Sequence, residues 1–184
     1  MKKILLLLAL MVAMVARGQE LTTDGAYEVK EVVTDSTVTK STFYARAMEA
    51  LSDWTGDDGK SRVGIDYSDK DAGTVIYKGN YYMGYYKTSL GSYLDCQMNF
   101  TLKVRCKDGK AQTTVSTSSV TVTSPKIPSR TISIREILER QKEGKQPNER
   151  QKKRTHMTPV RDCVQKILAA MTVRLATPPE DDDF

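Results

Sequence analysis

The chain has 184 residues, 28 Lys/Arg against 23 Asp/Glu, and an apolar content of 39%. That length fits one domain of ordinary size. One histidine excludes a His cluster or a two-His metal site, and three cysteines are too few for a disulfide framework.

The first segment reads as an export leader. Lys2 and Lys3 precede thirteen unbroken apolar residues, Ile4 to Ala16, and Ala16-Arg17-Gly18 places small residues three and one positions before Gln19. Thirteen residues are too few to span a bilayer, which takes about 20. Cleavage is expected between Gly18 and Gln19, giving an exported protein of the periplasm or cell envelope. No later apolar run is long enough for a transmembrane segment, and no cysteine sits at the expected cleavage point, so no lipid-anchor site is expected. Loss of Lys2, Lys3 and Arg17 leaves 25 basic residues against 23 acidic, so the mature chain is near +2 and gives no case for nucleic-acid binding.

Residues 19–124 read as sheet plus a first helix. Tyr27 to Val33 is a short β-type run. Lys40 to Thr55 carries an apolar stripe, Phe43/Tyr44, Ala47/Met48, Leu51 and Trp54, which predicts a helix ended by Gly56. Val63, Ile65 and Tyr67 alternate with polar neighbours as a strand. Ser68 to Gly73 is turn chemistry, and Thr74 to Met83 is the next strand. Over 94–107 every even position is apolar and every odd one polar, the period of a strand with one buried face in an antiparallel sheet. Asp108-Gly109 predicts a type I′ hairpin turn, with 110–123 returning. In that return strand Val115 faces one side and Val120 and Val122 the other, which predicts a bulge near Ser118 or an edge position.

Ser124-Pro125 and Pro128 are expected to end the sheet. Residues 125–157 read as a basic helical and flexible insertion, with a capping box at Ser133–Glu136 and eight Arg/Lys against four Glu over 135–154. Either these charges form a solvated face, or they contact an anionic envelope component or the acidic tail. Thr158-Pro159 starts a second helix over 158–176, with Thr158 as N-cap. Residues 177–184 read as a disordered acidic tail. The resulting fold class is α+β, one twisted antiparallel sheet with helices on one face.

Lys40, Phe43-Tyr44, Arg46-Ala47, Trp54, the turn Asp69 to Gly73, Phe100-Thr-Leu-Lys-Val104 and Lys107-Asp-Gly109 together resemble exported Bacteroidetes domains of unknown function with a TATA-binding-protein-like fold. The resemblance covers about residues 27–123 and implies a β-α-β4-α layout. It implies no activity and brings no site residues, and the fold name does not license DNA binding.

Motifs for catalysis are lacking: no Gly-x-Ser-x-Gly, P-loop or Cys-x-x-Cys occurs, and His156 sits in a basic run. No catalytic residue, metal ligand or cofactor is assigned. Asp53, Asp57 and Asp58, or Asp66, Asp69 and Asp71, lack the spacing of a calcium loop and read as helix-end and turn chemistry. Cys96 and Cys106 lie on one strand face, roughly 33 Å apart, and cannot pair; Cys163 could reach one of them, or all three are buried fillers. The distinctive stretch is aromatic. Six of nine tyrosines lie between Tyr77 and Tyr93, and Tyr81-Tyr82-Met83-Gly84-Tyr85-Tyr86 places tyrosine on both strand faces. Strict alternation pairs Tyr81 with Tyr85 on one face, so Tyr81, Tyr82, Tyr85 and Tyr86 form the candidate binding surface, with one face in the core. The expected function is a non-catalytic, exported binding or envelope-associated module that contacts an envelope protein or a glycan. The alternatives are a carboxylate-based hydrolase, or a structural component with a sheet edge at 110–123.

Overall fold

Three long strands, each pairing with the next, form the centre of the molecule. The computed structural model describes residues 18–22, 25–52, 54, 59–87, 92–124, 127–137 and 155–177. The apolar leader, Gly56, residues 138–154 and the acidic tail lie outside them. In chain order the elements are β1 (Gly18–Leu21), β2 (Tyr27–Thr34), α1 (Lys40–Glu49), β3 (Arg62–Asp69), β4 (Thr74–Lys87), β5 (Tyr93–Lys107), β6 (Lys110–Ser124), β7 (Ile127–Ser133), β8 (Thr155–Met157) and α2 (Val160–Ala176).

One antiparallel sheet runs β1-β2-β6-β5-β4-β3, with β7 also on β6 and β8 also on β4. The outer neighbours of the meander are thus split. β2 pairs with the first half of β6 and β7 with the second. β3 likewise takes Thr74 to Asn80 of β4, and β8 takes Gly84 to Tyr86. Two expectations are corrected here. The prolines do not end the sheet: Pro128 falls where the β6–β7 register shifts, and it pairs with no residue of β6, so its missing N–H costs the ladder nothing. Segment 110–123 is not an edge, because β6 is flanked on both sides.

The even positions of β5 are the inner face: Cys96, Met98, Phe100, Leu102, Val104 and Cys106 are all buried. α1 and α2 pack on that face. α2 seats Cys163, Val164, Ile167, Leu168, Met171 and Leu175 there. Each such large apolar side chain contributes roughly 1.5–3 kcal/mol when fully buried. Polar ties lock the layers. The Tyr77 hydroxyl, on β4, donates to the carbonyls of Ala47 and Met48 at the end of α1. Buried Arg46 donates from Nη1 to the Leu175 carbonyl at the end of α2, 2.8 Å.

α1 ends at Glu49, earlier than its apolar stripe predicts. The chain then turns, Trp54 N–H donating to the Leu51 carbonyl, and Trp54 lies against Tyr81 and Phe100 with ring centroids 5.8 and 6.4 Å away. The hairpin after β5 sits where expected, with Lys107 opposite Lys110. Its turn is not type I′, because only Gly109 has positive φ (75°). Asp108 is instead held by α1: its carboxylate accepts the Lys40 backbone N–H at 2.7 Å, and Gly109 N–H donates to the Val38 carbonyl. At α2, Pro159 takes the N-cap position and Thr158 stands one residue before it, its N–H donating to the Met83 carbonyl at 2.7 Å.

β3 also departs from expectation. Its alternation reaches the core only at Val63, since Ile65 is 45% and Tyr67 49% exposed. A bulge at Asp66 puts these two residues on opposite faces, beyond the reach of the helices.

Candidate functional site

The face of the sheet opposite the helices carries the candidate site, and a bulge in β4 assembles it. Tyr82 pairs with Gln97 and Gly84 with Cys96, so Met83 is an extra residue on β4. Gly84 has φ 116°, a conformation that L side chains rarely adopt. Alternation therefore restarts after Met83. Tyr81 and Met83 enter the core, 4% and 3% exposed. Tyr82 and Tyr85 fall together on the outer face, opposite Gln97 and Asp95, and Tyr86 takes the inner register opposite Leu94.

This corrects the pairing that strict alternation predicts. Tyr81 belongs to the core and shares no face with Tyr85. The outer group consists of Tyr82, Tyr85 and Tyr93, which sequence reasoning left out of the candidate surface. Tyr93 is 53% exposed and packs edge-to-face with Tyr85, centroids 5.2 Å apart at 75°. The Tyr82 hydroxyl donates to Asp95 Oδ1 at 3.0 Å, and Lys60 Nζ stands 4.3 Å from its ring centroid. Lys87 Nζ lies 5.4 Å from the Tyr93 centroid. Burial, then the bond to Asp95, raises the Tyr82 phenol above its usual range, so this group stays neutral.

A second bulge lies further along the same face. Asn99 pairs with Ser119 and Thr101 with Ser116, so Thr117 and Ser118 of β6 oppose Phe100 alone. This is the predicted bulge near Ser118, and it switches the buried set of β6 from odd positions up to Thr117 to Val120. The Thr117 hydroxyl fills the gap by donating to the Asn99 carbonyl at 2.6 Å. Around the bulge is an open depression of about 350 Å³, lined by Lys78, Asn99, Thr101, Ser116 and Ser118 among others. Asn99 Nδ2 donates to Ser119 Oγ at 3.1 Å and Thr121 Oγ1 at 2.9 Å.

Cys96, Cys106 and Cys163 are buried and free, so Cys163 forms no disulfide with the other two. Burial pushes Cys96 and Cys106 up to about 11 and Cys163 to about 12, which suppresses the reactive thiolate. Asp35 is held below the usual carboxylate range by hydrogen bonds from Thr37, and Asp69 by the Ala72 N–H. Both shifts run opposite to that of a general acid. His156 does not sit in a flexible stretch: β8 pairs it with Tyr85. Among the described residues, no group of three or more His, Cys, Asp or Glu could hold a metal, and no helix is long and apolar enough to cross a membrane.

A single antiparallel sheet with α1 and α2 on one face and a polar, tyrosine-edged opposite face defines an α+β protein of TATA-binding-protein-like architecture. The chain belongs to the family described as a domain of unknown function (DUF4468) with TBP-like fold, which matches residues 30–121. Among solved structures it is similar to a DUF4468 family protein from Bacteroides ovatus ATCC 8483, at 17% identity and TM-score 0.52, over 86% of this chain and 91% of that one. It is also similar to a TBP-like protein from Parabacteroides distasonis ATCC 8503, at 10% identity and TM-score 0.50, over 87% and 98%. These likenesses show the fold alone. No curated protein matches the chain.

Proposed function

We propose that the chain is an exported, non-catalytic binding module of the periplasm or cell envelope, and that its contact surface is the sheet face opposite α1 and α2, around Tyr82, Tyr85 and Tyr93. One observation carries this reading. The Met83 bulge gathers onto the face opposite α1 and α2 two tyrosines that strict alternation would separate. Tyrosine supplies a rigid contact area with a polar tip at low entropic cost, the character of a recognition surface. Export rests on the leader, whose cleavage is checked by mass spectrometry: the secreted chain should begin at Gln19.

The binding test uses the mature chain and its Tyr82→Ser/Tyr85→Ser variant in an envelope pull-down, with thermal melts beside it. The variant should stay folded and lose the captured component. Equal capture by both proteins would remove this surface from the function. A second reading, a structural component of an envelope assembly, is favoured by the open β3 edge with Ile65 and Tyr67 exposed. It predicts that Ile65→Lys abolishes assembly while the tyrosine variant does not.

A further inference from the structure

Resting on the binding-module reading, we infer that the depression at the β5–β6 bulge and the tyrosine group form one extended site for a neutral oligosaccharide. Two cross-strand rows connect them on the outer face. One is Tyr82–Gln97–Thr121–Thr131, and the next is Asn80–Asn99–Ser119–Ser133. Every side chain in these rows is a neutral amide, a hydroxyl or a phenol. Asn99 donates to Ser119 and Thr121, which leaves their own hydroxyl protons to be donated outward. Thr101 and Ser116 continue the pattern into the depression.

The chemistry of the partner follows from this lining. A sugar ring has an apolar C–H face and a rim of hydroxyls that both donate and accept. Tyrosine rings at one end suit the first, and a field of amides and hydroxyls suits the second. Charge also selects. Lys78 is paired with Asp66 at 3.0 Å and Lys30 with Glu28 at 2.8 Å, while Lys60 and Lys87 stand over tyrosine rings. The two rows themselves carry no charged side chain, and Lys103 and Arg105 lie on the same face beyond Thr101, outside them. The depression lies at the lower end of the ~300–1,000 Å³ range of small-molecule sites.

The test is an array of neutral glucan, mannan, xylan and chitin oligosaccharides beside uronate-bearing and sulfated ones, probed with the mature chain. Calorimetry on the best neutral oligosaccharide follows. Neutral sugars should bind, with affinity little changed by added salt. Tyr85→Ala and Thr101→Val should each weaken binding by about tenfold or more with melting temperature nearly unchanged, and Val173→Ser on α2 should bind as the wild type. Binding confined to acidic glycans, or no glycan binding, overturns the inference. If the array is blank while Tyr82→Ser/Tyr85→Ser still abolishes capture of one envelope protein, the saccharide fails and the binding module stands. If neither signal appears, both fail.

Discussion

Replacing two adjacent tyrosines one at a time tests the β4 bulge directly. Tyr81 is 4% exposed and packs against Trp54, whereas Tyr82 is half-buried on the outer face. Tyr81→Ala removes a buried aromatic ring and leaves a cavity, a change that costs about 3–5 kcal/mol for large aromatic truncations. In a domain of this size each kcal/mol moves the melting temperature by roughly 2–4 °C, so a drop of about 6–20 °C is expected. Tyr82→Ala loses an exposed hydrogen bond to Asp95 and the Lys60 contact over its ring, together about 1 kcal/mol. The assay is urea unfolding with thermal melts of both variants. Tyr85→Ala should behave like Tyr82→Ala, although strict alternation groups Tyr85 with Tyr81. If Tyr85→Ala matches Tyr81→Ala, β4 has no parity change at Met83 and the outer tyrosine group does not exist.

Gly79→Ala should destabilise strongly, by at least the ~1–3 kcal/mol of an overpacked site, because a Cβ there would collide with the Arg62 backbone carbonyl; chemical denaturation measures it. Asp108→Ala should cost about 0.5–2 kcal/mol, since it removes an acceptor from the first N–H of α1, and Asp108→Asn should recover most of the loss. The folded thiols hold their protons above the ordinary 9.0, up to about 11 for Cys96 and Cys106 and about 12 for Cys163. The unfolded chain therefore releases protons first: the contribution of these thiols should be flat below pH 9 and stability should fall as pH rises from 9 through 11–12, with Tyr77, pushed up to about 12 by burial, adding to the fall above 10. Unfolding titrations at pH 8 and 10.5 check the sign, and a Cys106→Ala variant should show a shallower decline.

How much of this was legible depended on whether a residue type commits to one face. In β5 the apolar and polar residues separate cleanly, and the buried set Cys96 to Cys106 follows directly. In β6 three valines on unequal parities reveal the bulge near Ser118 even among serines and threonines. Tyr81 to Tyr86 offers no such contrast, because tyrosine is accepted on both faces. The usable signal was Gly84, since a glycine inside a strand marks a bulge or a close approach. The hairpin turn was located but mistyped, because Asp108 is committed to a helix 68 residues earlier, a partnership with no local trace. β7 was hidden by prolines that an edge register tolerates. β3 showed alternation, but its exposure follows from where the helices stop.

The split flanks of the sheet bear on the order in which this chain can fold. β4, β5 and β6 pair with one another across short turns, whereas β2 pairs with β6 across 76 to 90 residues, from Thr34–Lys110 to Tyr27–Thr117. Closing so long a loop is the slow step in contact-order terms. A chain emerging N-terminus first thus has β2 and α1 in place before the meander exists to receive them. The meander should nucleate alone, and β2 should dock as the closing strand. Pulse-labelled hydrogen exchange during refolding should then protect Leu102 and Val104 before Val29 and Val33, and simultaneous protection would place β2 in the nucleus instead. Until that last strand docks, the first half of β6 is an open template, so the vulnerable interval for aggregation lies at the end of synthesis.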